Sequence, residues 1–302
     1  MSSQIGAGPT SFCGIELAHP LLNASGTFDA IAARRAFGSA VIERFPFSAY
    51  VSKTITPAAR VGNPPPRLWE EPAAMVNSIG LPNKGAEGFL ASDLPQLTTL
   101  PVPLIVSVMA TSAEEFAGLV EPVAAREEVA AIELNVSCPN VHSGLIVGEQ
   151  PAETEALLNR LRPLTPKPLI VKLTPNVAAP AEVALGAEAG GADAVSLINT
   201  MKSRPLHRGG PWLGAGSGGL SGPAVRVIAL QQVTDVAAAV GIPVVGMGGV
   251  ERGSHARDLL DAGASLVAVG TANFRDPLAA ERILGELEAT SPIPRKSPEV
   301  RA

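Results

Sequence analysis

The sequence predicts an α/β protein: a (β/α)8 TIM barrel with extended βα loops over the C-terminal face. Three observations carry this. Eight short apolar or β-branched runs alternate with alanine- and leucine-rich segments of helical spacing. The 302 residues suit one large barrel. Small, amide and lysine side chains recur where the apolar runs end, which is where a barrel builds its site.

The strand runs are 21–25, 50–53, 104–108, 132–136, 169–173, 194–199, 244–247 and 266–270. Between them, "EEFAGLVEPVAAREE", "AETEALLNRLR", "APAEVALGAEAGG", "SGPAVRVIALQQVTDVAAAV", "SHARDLLDAGA" and "LAAERILGELEA" place apolar residues at helical intervals. Glycines close several of these helices before the next strand, as in "AEAGGADAV" and "DAGASLV". Two connections, 55–84 and 201–220, are too long for turns and read as functional loops rich in Gly, with Pro and Asn in the first and Trp212 in the second. With no linker and no repeat beyond the βα alternation, residues 1–302 read as a single domain with poorly structured ends near 1–10 and 290–302. An open doubly wound sheet is the alternative.

Hydrophobic residues make up 46% and charged residues 17%, a composition with a large core. The net charge of −5 and the absence of basic runs argue against nucleic-acid or membrane-surface binding. No signal peptide or membrane-spanning run is visible, and two cysteines are too few for a disulfide framework or an iron–sulfur cluster, so a cytoplasmic chain is expected.

Lys53 in "VSKT" and Lys172 in "VKLT" sit at strand ends, where packing does not explain a charge; snorkelling from the rim is the bland alternative. "GMGG" and "VGTAN" end the last two strands, and "GGLSGPA" reads as a Gly-rich turn opening a helix at Pro223. Such glycines let backbone N–H groups approach a phosphate, although each cluster alone is also ordinary turn chemistry. Asn77, Asn135, Asn140 and Asn199 offer donors and acceptors to a planar ligand with amide edges. His19, His142, His207 and His255 show no pairing pattern and read as surface or structural.

Cys138, in "IELNVSCPNVHSG", lies on the loop over the mouth because Pro139 ends the strand. A disulfide with Cys13 is disfavoured in a reducing compartment, and His142 alone makes no metal site. A structural thiol and a reactive one remain open on the residues alone.

"ELNVSCPN", "NSIGLPNKG", "NASG", "VSKTIT", "VKLTPNV", "LINTM", "GGLSGPA", "GMGG" and "AVGTANF", in order from about residue 10 to 285, resemble the class 1 dihydroorotate dehydrogenases. "GGLSG" and "GTANF" are most similar to the catalytic subunit of the NAD-linked B-type branch. The resemblance implies FMN-dependent oxidation of dihydroorotate to orotate in pyrimidine biosynthesis, with Cys138 as catalytic base. It implies substrate contacts from Lys53, Asn77, Ser78, Ile79, Gly80, Leu81, Asn135, Asn140, Asn199 and Thr200. It implies FMN contacts from Ala24, Ser25, Lys53, Thr54, Asn135, Lys172, Ile198, Gly222, Gly248, Gly249, Gly270 and Thr271. No metal is implied. The partners implied are a homodimer core and an electron-transfer subunit carrying FAD and a 2Fe–2S cluster, together a heterotetramer passing electrons to NAD. The chain departs from the B-type pattern at Ser107, where Asn is common, and in the loop 201–217. The alternatives are a dihydropyrimidine dehydrogenase-like reductase, which shares the "NxSCP" loop, and a non-redox phosphate-binding barrel.

Overall fold

The computed structural model describes residues 6–137 and 147–290. All eight predicted runs are strands: Leu21–Asn23, Tyr50–Val51, Leu104–Val108, Val129–Asn135, Leu169–Lys172, Ala194–Leu197, Val244–Met247 and Leu266–Val269. They form one parallel sheet in which the first strand neighbours the eighth and the second lies at the far end. The remaining gap closes through a parallel bridge between Leu22 and Ala49. The Asn23 side chain completes it, accepting from the Val51 amide at 2.9 Å and donating to the Val51 carbonyl at 2.7 Å. The chain is a (β/α)8 barrel.

Strand periodicity divides the side chains into two layers. Leu104, Val106, Ile132, Leu134, Leu169, Val171 and Val195 face the helices and join the large outer core. Ile105, Ala131, Ile170, Ala194, Val245, Leu266 and Ala268 face inward and fill the barrel. The helices follow their patterns. Ala113–Ala124 is capped by the Ser112 side chain, which accepts from the Glu115 amide, and it buries Phe116, Leu119, Val120 and Val123 at spacings of three, one and three. Gly191 and Gly263, with φ of +93° and +110°, make the left-handed exits into the sixth and eighth strands.

Two features were not legible. A hairpin, Thr10–Phe12 with Ile15–Leu17, precedes the barrel and seats Phe12, 1% exposed, with the inward-facing layer. The two long connections are not bare loops. They pair into a four-stranded antiparallel sheet, ordered Met201–Ser203, Gly218–Ser221, Ala74–Asn77, Leu68–Glu71. The expectation for Gly218 and Gly219 changes accordingly, since both lie within a strand rather than a turn. A Cβ on Gly219 would fall 1.9 Å from the Thr200 hydroxyl, and one on Gly218 would fall 2.4 Å from the Asn77 carbonyl. Close strand approach accounts for these two glycines. The helix does open after Gly222, through the 3-10 turn Pro223–Val225 into Arg226–Ala239. Among the described residues, no helix is long and apolar enough to cross a membrane.

Candidate active site

A cavity of about 730 Å³ opens between the C-terminal strand ends and the antiparallel sheet. It gathers residues from the ends of seven of the eight strands. Ala24 and Ser25 follow the first strand, Lys53 and Thr54 the second, and Asn135 and Lys172 end the fourth and fifth. Ile198, Asn199 and Thr200 follow the sixth; Gly248 and Gly249 the seventh; Gly270 and Thr271 the eighth. Asn77, Ile79, Gly80, Leu81 and Gly222 close it from above and the side. Ser78 does not line it. Ser78 is buried, its hydroxyl accepting from Asn63 Nδ2 at 2.9 Å and its amide donating to the Arg67 carbonyl at 2.8 Å. Cys138 and Asn140 lie outside the described residues, as does His142.

The "NSIGLPNKG" stretch is held by side chains from its own connection. Asn83 accepts from the Gly85 amide at 2.8 Å and donates to the Leu81 carbonyl at 2.8 Å and the Thr56 hydroxyl at 2.9 Å. Gly80 has φ +75°, and a Cβ there would meet the Asn63 amide nitrogen at 2.4 Å. The missing side chain at Gly80 therefore makes room for Asn63, which packs against this stretch.

Gly248 and Gly249, at φ +128° and +71°, turn the chain beneath the mouth. A Cβ on Gly249 would lie 2.7 Å from Arg226 Cβ, whereas one on Gly270 would meet nothing nearer than 3.7 Å. Around them stand the hydroxyls of Ser221 and Thr271, joined at 2.8 Å. Backbone amides and hydroxyls without a large side chain are groups that could hold a phosphate.

The amide group is centred on Asn199, whose Nδ2 donates to Ser137 Oγ at 3.0 Å and reaches Asn135 Oδ1 at 3.5 Å. This brings the end of the fourth strand, immediately before Cys138, against the end of the sixth. Two lysines face the cavity. Lys172 is 5% exposed and paired with Glu133, Nζ to Oε1 3.7 Å. Lys53 reaches into the opening, and its pKa is lowered below the ordinary lysine value. Loss of solvent is the main cause, Asp29 opposes it and Arg67 adds to it.

Sequence reasoning did not single out Glu133, Ser221, Glu70 or Arg275. The last two line the mouth and pair at 3.4 Å, Arg275 also donating to the Ala74 carbonyl at 3.2 Å. Glu133 was legible by parity, two residues before Asn135 on the same inward face. Ser107, where the sequence departs from the common Asn, does not line the cavity. It is fully buried below the cavity, its hydroxyl bridging Thr54 at 2.9 Å and Glu133 at 3.0 Å. Cys13 is at the opposite end, its thiol on the Asp193 carbonyl at 3.4 Å.

A parallel barrel with glycine turns, hydroxyls, amides and two lysines gathered at the C-terminal strand ends has the layout of a barrel enzyme. Comparison with known proteins narrows this: the family model for dihydroorotate dehydrogenase matches residues 9–290. The chain is 42% identical to a Geobacter metallireducens protein named dihydroorotate dehydrogenase B (NAD(+)), catalytic subunit, over 91% of this chain and 90% of that one. A protein of the same name from Desulforudis audaxviator is 42% identical, covering 92% and 90%. A Solibacter usitatus protein, named provisionally as dihydroorotate dehydrogenase A (fumarate), is also 42% identical, covering 92% and 91%. The chain belongs to the dihydroorotate dehydrogenase family and is an oxidoreductase.

Proposed function

We propose that this chain uses FMN to oxidise dihydroorotate to orotate in pyrimidine biosynthesis, with Cys138 as base. The observation that carries the reading is the convergence of a glycine and hydroxyl cradle with Lys53, Lys172, Asn77, Asn135 and Asn199 on one cavity. The donor set fits FMN. The backbone at Gly222, Gly248, Gly249, Gly270 and Thr271 would hold the phosphate. Ala24, Ser25, Thr54, Asn135, Lys172 and Ile198 would hold the flavin ring. Bound there, FMN would supply the acceptor for the hydride that leaves C6 of the substrate.

The chain's own residues do the rest. Cys138 takes the C5 proton, so that proton and hydride loss together leave the C5–C6 double bond. Lys53 lies at the same mouth and stabilises the negative charge that develops on the substrate as the proton leaves. Asn77, Asn199 and Thr200, with Asn140 and the backbone of 79–81, orient the ring amides and the carboxylate. Asn199 also ties Ser137 to the sixth strand, which fixes where the cysteine loop departs.

Electrons then pass to NAD through a second subunit carrying FAD and a 2Fe–2S cluster, on a homodimer core, in the cytoplasm. The names of the Geobacter and Desulforudis relatives support this acceptor. The Solibacter relative, equally similar, supports fumarate as the second reading.

Anaerobic mixing of the purified flavoprotein with dihydroorotate tests the reaction. Bleaching of the oxidised flavin band is expected, and a protein that holds no flavin even after reconstitution overturns the reading. NAD reduction only when the partner subunit co-purifies, with no fumarate reduction, separates the two acceptors.

A further inference from the structure

Beneath the cavity lies a polar cluster that the reaction above does not use. Its centre is Glu133, 4% exposed, on the inward face of the fourth strand. Oε1 accepts from Ser107 Oγ at 3.0 Å and lies 3.7 Å from Lys172 Nζ; Oε2 accepts from Ser196 Oγ at 3.2 Å. Ser107 Oγ contacts Thr54 Oγ1 at 2.9 Å, and Thr54 Oγ1 contacts Ser25 Oγ at 3.0 Å. Ser25 donates its own proton to the Ser52 carbonyl at 2.8 Å. Ser107 spends its proton on Glu133, so Thr54 has one proton for two hydroxyl neighbours. The cluster therefore links one carboxylate, on the fourth strand, to groups from the other five of the first six strands or the loops that follow them. Three of those groups, Ser25, Thr54 and Lys172, form the cavity wall.

Below Glu133 the barrel is apolar. A void of about 10 Å³ there is bounded by Glu133 and Ser196 and otherwise mainly by residues such as Ile105, Ile170, Val245 and Ala268. Every described partner of the carboxylate lies beside it or toward the cavity. A buried ion pair is a poor source of stability, because desolvating two charges offsets their attraction, and an apolar layer would fill this space at least as well. Its position calls for another role.

We infer that Glu133 is a positioning residue that sets the charge balance at the flavin-facing wall, by pairing Lys172 and orienting the Ser107–Thr54–Ser25 chain. The inference rests on FMN occupying the cavity as proposed above. Lys172 faces the ligand with its charge compensated from behind. Reduced flavin is more negative than oxidised flavin, so the compensation restrains how strongly the site favours reduction. Removing the carboxylate exposes the full lysine charge, while weakening its hydrogen bonds makes the carboxylate field stronger. The two changes act with opposite sign.

The experiment is a dye-equilibrated reductive titration of the FMN-loaded protein, with thermal melting measured alongside. In Glu133→Gln, which keeps the side-chain shape, the ratio of reduced to oxidised FMN affinity should rise about tenfold, equivalent to about 30 mV upward for a two-electron couple. Adding Lys172→Met to that variant should return the ratio toward the parent. Ser107→Ala removes a donor to the carboxylate, and with it one partner of Thr54, at a residue that does not itself line the cavity, and should lower the ratio a few-fold. That variant keeps the test open if Glu133→Gln does not fold. A cluster that merely joins strands would shift melting and leave the ratio alone. A ratio within twofold of the parent in the folded variants overturns this inference. A parent protein that cannot take up FMN overturns the proposed function instead.

Discussion

The two ends of this barrel are built from the same eight strands and do opposite work. At the N-terminal end the inward side chains are Leu22, Val51, Ile105, Ile170, Ala194 and Leu266, and the opening is stopped by Phe12 from the hairpin. At the C-terminal end the same inward faces carry Lys53, Ser107, Glu133, Asn135, Lys172 and Ser196, and glycines follow the last two strands. The alternation places both sets on one face, so what changes along each strand is only residue type. The lesson is that stability and chemistry are separated here by about two residues of strand length, roughly 7 Å. Of the chain's two cysteines, Cys13 is in the hairpin turn at the closed end, while Ser137, the residue before Cys138 in sequence, is held at the mouth by Asn199.

The strongest break of the comparison is a cysteine exchange. Cys138→Ala should keep bound flavin and lose dihydroorotate oxidation by about 10²–10⁴-fold, the usual contribution of a positioned base. The native rate should rise with pH through the ordinary thiol range, near about 8.5, since only the thiolate accepts the proton. Cys13→Ala should leave turnover within twofold. Single-turnover flavin reduction checks both variants, and near-normal reduction in Cys138→Ala would remove the base assignment.

The next contrast sets packing against approach. Phe12→Ala opens a void among inward-facing apolar residues and should cost about 3–5 kcal/mol of stability, read by denaturant unfolding, with FMN affinity unchanged in the folded protein. Gly249→Ala should do the reverse. Holding alanine at φ +71° costs about 1–2 kcal/mol, and its Cβ would press on Arg226 at 2.7 Å. The turn must shift, and FMN affinity should fall about tenfold, measured by flavin fluorescence, with a smaller change in unfolding. If Phe12→Ala weakened FMN as much as Gly249→Ala does, the two ends would not be separable.

This division shows why some of the molecule was legible in its sequence. The inner strands are short apolar runs between helical patterns, so their number and order follow from periodicity alone. The strand-end residues were legible because Lys172 and Asn135 interrupt runs that packing would keep apolar. The antiparallel sheet over the mouth was not legible. Its four strands come from two connections far apart in sequence, and the pairing of Gly218–Ser221 with Ala74–Asn77 leaves no local period. Ser107 read in the sequence only as a departure from the common Asn, and its side chain stops one layer below the mouth, on Glu133. Glu133 itself was passed over because it sits inside the run "IELN", where one charge among apolar neighbours looks like noise until Lys172 and Ser196 are seen beside it.

The smallest expected effect belongs to Cys13, and it sharpens the comparison by pH. Burial, with Asp193 adding to it, raises this thiol from an ordinary 9.0 to about 11. The folded state therefore keeps its proton where the unfolded state releases one. Below pH 9 both states are protonated and the group adds no pH dependence. Between about 9 and 11 the unfolded state binds fewer protons, so stability falls as pH rises, and above the folded value the loss is complete. For a partly buried group the total should be on the order of 1–2 kcal/mol. Urea midpoints measured from pH 8 to 11 in the native chain and in Cys13→Ala isolate it, because the other titrating groups are common to both. The native midpoint should fall more steeply, and the gap should open only above pH 9. Parallel curves would mean that the thiol at the closed end is solvated, and that the hairpin does not seal the barrel there.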